Sequence, residues 1–133
     1  MKIVVLIKEV PDTWGDRKLS LETGLAEREA SDRVLDEICE RALEVALSYA
    51  DGHEGTEVVV LSMASEASTA TVRKGLAMGA ASAVQVVDGD LLGADMGLTA
   101  EVLAATLQRI GFDLVVAGNL STDGSGGMVP AMV

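Results

Sequence analysis

The stretch Met1-Lys2-Ile3-Val4-Val5-Leu6-Ile7-Lys8-Glu9-Val10-Pro11-Asp12 decides the fold. Residues 3–7 are apolar without alternation and rich in Val and Ile. Such a run suits a strand buried on both faces, as in a parallel sheet. Val58-Val59-Val60-Leu61 repeats the pattern, and Ala83-Val84-Gln85-Val86-Val87 and Leu114-Val115-Val116-Ala117 supply two further candidates.

Helical periodicity fills the intervals. Over 34–50, Leu35, Ile38, Ala42, Val45, Ala46 and Tyr49 recur at three- and four-residue steps. Asp36, Glu37, Glu40, Arg41 and Glu44 read as the solvated side. Gly52 is expected to end this helix as a left-handed stop. A second helix is expected over 66–78, with Ser65 as its cap and Gly79 as its stop, and a third over 96–110, between Asp95 and Gly111. Alternating strands and helices predict an α/β fold, a three-layer α/β/α domain with a mostly parallel, Rossmann-like sheet. In such sheets ligands bind beyond the carboxyl ends of the strands.

Residues 9–33 interrupt the rhythm. Lys18-Leu19-Ser20-Leu21-Glu22 and Leu25-Ala26-Glu27-Arg28 flank Thr23-Gly24, which suggests a small hairpin inserted after the first strand. Trp14 lies in it. Pro130-Ala131-Met132-Val133 reads as the first turn of a helix, and residues 1–133 as one domain at the front of a longer chain.

Composition narrows the function classes. Ten Lys and Arg stand against 21 Asp and Glu, for a net charge of −11. That balance argues against nucleic acid or an anionic membrane as partner. The hydrophobic share of 49% excludes a disordered acidic tail, and one Cys excludes an internal disulfide framework. The opening apolar run is too short for a signal peptide or a membrane span, so a cytoplasmic location is expected.

The segment Gly118-Asn119-Leu120-Ser121-Thr122-Asp123-Gly124-Ser125-Gly126-Gly127 carries the chemistry. It follows the fourth strand and leads toward a helix. Glycines let backbone N–H groups approach an anion, so this is a candidate phosphate cradle. It is neither a Walker loop nor a G-x-G-x-x-G fingerprint. Lys8 sits at the ligand-facing end of the first strand, where a solvated rim charge is the plainer reading. Cys39 reads as a small buried hydrophobe, and His53, in a loop, offers it no base. No metal cluster, carboxylate dyad or nucleophile–base pair is visible.

These motifs resemble a known family. Val4-Val5-Leu6-Ile7-Lys8-Glu9-Val10-Pro11-Asp12-Thr13, Arg73-Lys74-Gly75-Leu76-Ala77-Met78-Gly79-Ala80, and Asp113-Leu114-Val115-Val116-Ala117-Gly118 with Ser121-Thr122-Asp123-Gly124 are similar to the N-terminal half of electron-transfer flavoprotein β subunits. Leu35-Asp36-Glu37-Ile38-Cys39-Glu40-Arg41-Ala42 resembles the actinobacterial-type members. The resemblance implies an electron-carrier subunit rather than an enzyme. It implies an α-subunit partner that holds most of an FAD, and a structural AMP in this subunit. Electrons would pass from acyl-CoA dehydrogenases or other flavin dehydrogenases to a quinone oxidoreductase, in fatty acid oxidation and related pathways. Bifurcating relatives carry a second FAD in place of AMP. By position, the resemblance implies nucleotide contacts at Leu6, at Asp36, Glu37, Ile38 and Cys39, at Met63, and at Asp123, Gly124, Ser125, Gly126, Gly127, Met128 and Val129. Asp36-Glu37 stands where the family usually has Asn-Pro. A universal-stress-protein-like ATP-binding module is the alternative, although Gly124-Ser125-Gly126-Gly127 lacks the glycine spacing of that family.

Overall fold

Each apolar run forms a strand, and each periodic stretch a helix. The computed structural model describes residues 1–133. In chain order the elements are β1 (Lys2–Leu6), β2 (Glu9–Pro11), β3 (Arg33–Leu35), α1 (Glu37–Asp51), β4 (Glu57–Met63), α2 (Thr69–Met78), β5 (Ser82–Val86), α3 (Met96–Ile110), β6 (Leu114–Ala117) and α4 (Val129–Met132). Four strands make one parallel sheet in the order β5-β4-β1-β6. Ile3 pairs with Val58 on one side and Leu114 on the other, so β1 is bounded by strands on both edges.

Alternation along the strands sorts the core into two halves. Ile3, Val5, Val58 and Val60 pack with Leu43 and Ala46 of α1 and Val72 of α2. Val4, Leu6, Val59 and Leu61 point the other way, onto Leu103 and Leu107 of α3. Helices therefore cover both faces, as the apolar strands require. The chain winds from β1 through α1 and α2 out to β5. It then returns over the opposite face through α3 to β6, beside β1. The order reverses between β1 and β6, which is where a doubly wound sheet opens a crevice.

Several local expectations are corrected. The first helix starts at Glu37 and not at 34, because Arg33–Leu35 pairs antiparallel with Glu9–Pro11. Gly52 ends α1 with φ −92°, so it is no left-handed stop; Gly55 takes that conformation at φ 78°. Ser65 does not cap α2: a 3-10 turn over Glu66–Ser68 intervenes, and the helix begins at Thr69. Asp95 does cap α3, its carboxylate accepting from the Leu98 N–H at 2.8 Å. The insertion is a ribbon whose base is β2–β3. Its outer part, residues 12–32, is called the arm here and carries one further antiparallel bridge, Leu19–Ala26.

Candidate functional site

A cleft of about 1340 Å³ lies at the carboxyl ends of β1, β4, β5 and β6. Leu6, Met63, Val86 and Ala117, from the four strand ends, give it an apolar floor. Gly124, Gly126 and Gly127 of the loop after β6 form one wall, and residues 25–30 of the arm another. The arm crosses to the loop before α3, where a Cβ on Gly93 would lie 3.4 Å from Leu25 Cδ2.

The glycine loop is fastened from below by Asp36. Its N–H donates to the Lys8 carbonyl at 2.9 Å, which sets it at the exit of β1. One carboxylate oxygen caps α1 by accepting from the Ile38 N–H at 2.8 Å. The other accepts from the Thr122 N–H at 2.6 Å and the Thr122 hydroxyl at 3.0 Å. Asp36 is completely buried, not a solvated helix residue as its neighbours suggest. Three donors offset the cost of enclosing its polar atoms. Gly118 allows the same approach, since a Cβ there would stand 2.5 Å from Ile38 Cγ2.

From above, the loop is fastened by cations. Lys8 Nζ donates to Asp123 Oδ1 at 2.8 Å and to Ser121 Oγ at 3.3 Å. Arg28 reaches Asp123 Oδ2 at 3.4 Å. Arg17 donates to the Thr122 carbonyl and also to the Pro11 carbonyl at 2.8 Å. Burial pushes the Asp123 carboxyl up, but hydrogen bonds from Lys8 and Ser121, the Lys8 charge and the Gly124 N–H outweigh it and hold the group at about 2. Lys8 is thus an anchor of the loop rather than a free rim charge. Glu9, also buried, accepts from Ser68 Oγ at 2.8 Å and pairs with Arg33 at 3.5 Å.

Nucleophilic chemistry has no support at Cys39. Burial, with the Asp36 charge, pushes its thiol up to about 11, so it stays protonated at neutral pH. His53 lies past the far end of α1, about 20 Å away at 1.5 Å per helical residue. There it stacks on Tyr49 at 3.8 Å. No group of three or more His, Cys, Asp or Glu is placed to hold a metal ion.

Of the residues named from the sequence, Leu6, Cys39, Met63, Gly124, Gly126, Gly127 and Val129 line the cleft. Asp36, Glu37, Ile38, Asp123, Ser125 and Met128 do not. Asp36 and Ile38 sit beneath the loop. Glu37 pairs with Arg41 at 3.4 Å on the surface of α1. Asp123 turns toward Lys8 and Arg28, Met128 is exposed, and Ser125 adopts φ 53°, a left-handed conformation uncommon for a non-glycine residue. Ser121 belongs to the glycine-rich segment that the sequence marks, whereas Arg17 and Arg28 carry no such mark. Their partners in that segment lie about a hundred residues away along the chain, and no local spacing reveals them.

The electron transfer flavoprotein domain family matches residues 23–133. The electron transfer flavoprotein subunit beta of Mycobacterium bovis is 51% identical over 98% of this chain and 51% of its own length. That of Mycobacterium leprae is 50% identical over the same shares. The caffeyl-CoA reductase-Etf complex subunit CarD of Acetobacterium woodii is 37% identical over all of this chain and 51% of its own. The chain spans about half the length of these curated relatives. With the parallel sheet and the glycine loop after β6, these matches show that the chain belongs to the electron transfer flavoprotein family and resembles its β subunits.

Proposed function

We propose that this chain is part of the β subunit of a heterodimeric electron-transfer flavoprotein, a carrier rather than an enzyme, and that its domain holds an adenine nucleotide in the cleft. The observation that carries the reading is the cleft itself, at the reversal point between β1 and β6, with an apolar floor and a glycine wall. The residues fit AMP. Leu6, Met63, Val86 and Ala117 suit a flat ring, the N–H groups of Gly126 and Gly127 suit an anion, and Lys8 and Arg28 face both the loop and the cleft. An FAD held mainly by the α subunit would supply the redox chemistry. This chain would bind, position and exclude water. The proposed donors are acyl-CoA dehydrogenases or other flavin dehydrogenases, the acceptor is a quinone oxidoreductase, and the setting is cytoplasmic. No helix is long and apolar enough to cross a membrane.

A second reading places another FAD in the cleft. The cleft's volume of about 1340 Å³ leaves room for it, since small-ligand pockets run to about 300–1,000 Å³. The full-length protein, purified with its α partner and denatured, decides between them by chromatography of the released nucleotides. One FAD and one AMP per heterodimer is the expected result. Two FADs without AMP would establish the second reading, and ATP without flavin would overturn both.

A further inference from the structure

A second pocket, of about 400 Å³, lies between the arm and the outer side of the 121–124 turn. Its walls include Lys8, Arg17, Lys18 and Arg28, and its only acidic residue is Asp123. The chain as a whole has 10 cationic and 21 acidic side chains. Four of those ten cations thus converge on one turn with one opposing carboxylate, against the charge balance of the rest of the surface. Like charges gathered in this way repel one another unless an anion joins them.

Asp123 does not neutralise the group. It is one charge against four, and Arg28 reaches it only at 3.4 Å. Lys18 has a single partner, Asp16 at 3.7 Å, an 85% exposed side chain that contributes little. Arg17 uses its guanidinium on the neutral oxygens of Pro11 and Thr122. Arg carries five N–H donors and Lys three, so donors remain on all four side chains. We infer that this pocket is a binding site for a phosphoryl group, recognised by Lys8, Arg17, Lys18 and Arg28 in competition with the carboxylate of Asp123. A dianionic, multi-acceptor group matches forked Arg donors and Lys point charges better than a monovalent ion does.

The phosphoryl group has two sources, a free phosphate ion or the phosphate of the nucleotide in the adjoining cleft. Lys8, Arg28 and Gly124 line both cavities, whereas Arg17 and Lys18 line only the smaller one. The nucleotide-borne source rests on the proposed reading of the large cleft, whereas the free-ion source does not, and the test keeps the two apart.

The experiment uses the purified full-length protein at low ionic strength. Inorganic phosphate is titrated in by calorimetry, with the part of the emission change that Trp14→Phe removes as a second readout, Trp14 being a residue of the arm and the only Trp among residues 1–133. Bound nucleotide is followed by phosphorus NMR. For a free-ion site, phosphate binds saturably. Arg17→Gln with Lys18→Gln weakens it at least about tenfold, the scale of one lost charged hydrogen bond, and Asp123→Asn tightens it. For a nucleotide-borne phosphate, free phosphate is silent, but Lys18→Gln shifts the phosphorus resonance of the bound nucleotide and weakens its retention. Lys18 is exposed and has only its weak Asp16 pair, so that variant keeps the fold intact. Phosphate binding indifferent to these variants, or no phosphate binding and an unmoved resonance, would overturn the site. A protein that releases no nucleotide would sink the reading of the large cleft, and the phosphate titration alone would then decide the pocket.

Discussion

Val4, Val5, Val60 and Leu61 at the centre of the sheet are sealed from solvent, whereas Trp14, Leu19 and Leu21 on the arm are 97%, 65% and 103% exposed. The sheet is held by apolar burial between two helical layers, with every strand paired along its length. The arm is held by two short strands at its base and by Arg17 and Arg28 reaching across to the 121–124 turn. Burial is worth about 25 cal/mol per Å² and adds up, while exposed ion pairs are worth about 0–1 kcal/mol each. The candidate site lies where the two regions meet. It has one wall set by the rigid sheet and one wall free to yield at small energetic cost.

The largest effect should come from the sheet side. Leu43→Ala, at a completely buried position of α1 against β1 and β4, should destabilise the fold by about 3 kcal/mol in urea denaturation. Next comes the joint between the regions. Asp36→Ala leaves the Ile38 and Thr122 N–H groups without their acceptor and should cost about 2–3 kcal/mol. It should also speed hydrogen exchange at 121–124 more than in the centre of β1. Equal acceleration in both would erase the distinction drawn here.

Acid should loosen the arm side through Asp123. Its folded pKa of about 2 lies below the ordinary 3.8, so its stabilisation is complete above 3.8 and is lost as pH falls toward 2. The amount should be about 1–2 kcal/mol, because Lys8 and Arg28 are 41% and 46% exposed and partly screened. Asp123→Asn should remove that part of the acid limb, measured as the difference in urea stability across this range. The smallest effect belongs to Arg28→Gln, at most about 1 kcal/mol globally, with faster exchange confined to the arm. A larger global loss would mean that the arm is part of the main cooperative unit.

The same division governs what could be read from the sequence. Unbroken Val and Ile runs mark the four parallel strands because burial on both faces leaves no polar positions. Asp95 and Gly111 mark α3 because caps act within a few residues. The three-residue strands β2 and β3 carry no such pattern, and Arg33–Leu35 therefore looks like the first turn of the helix that follows. Asp36 looks solvated beside Glu37 and Glu40. Only Thr122, distant in the chain and adjacent in the fold, shows that it is buried. Lys8 likewise needs Asp123 to show that it is an anchor. Position along the family motif pointed to the 121–127 loop, but not to the arm cations that hold it.

The most direct measurement is a crystal structure of the full-length protein with its nucleotide bound. The account predicts the adenine ring over the ends of β1 and β4, near Leu6 and Met63, and the phosphate against the loop of Gly124, Gly126 and Gly127. A nucleotide bound away from the carboxyl ends of the strands, with this cleft filled by protein side chains, would contradict it.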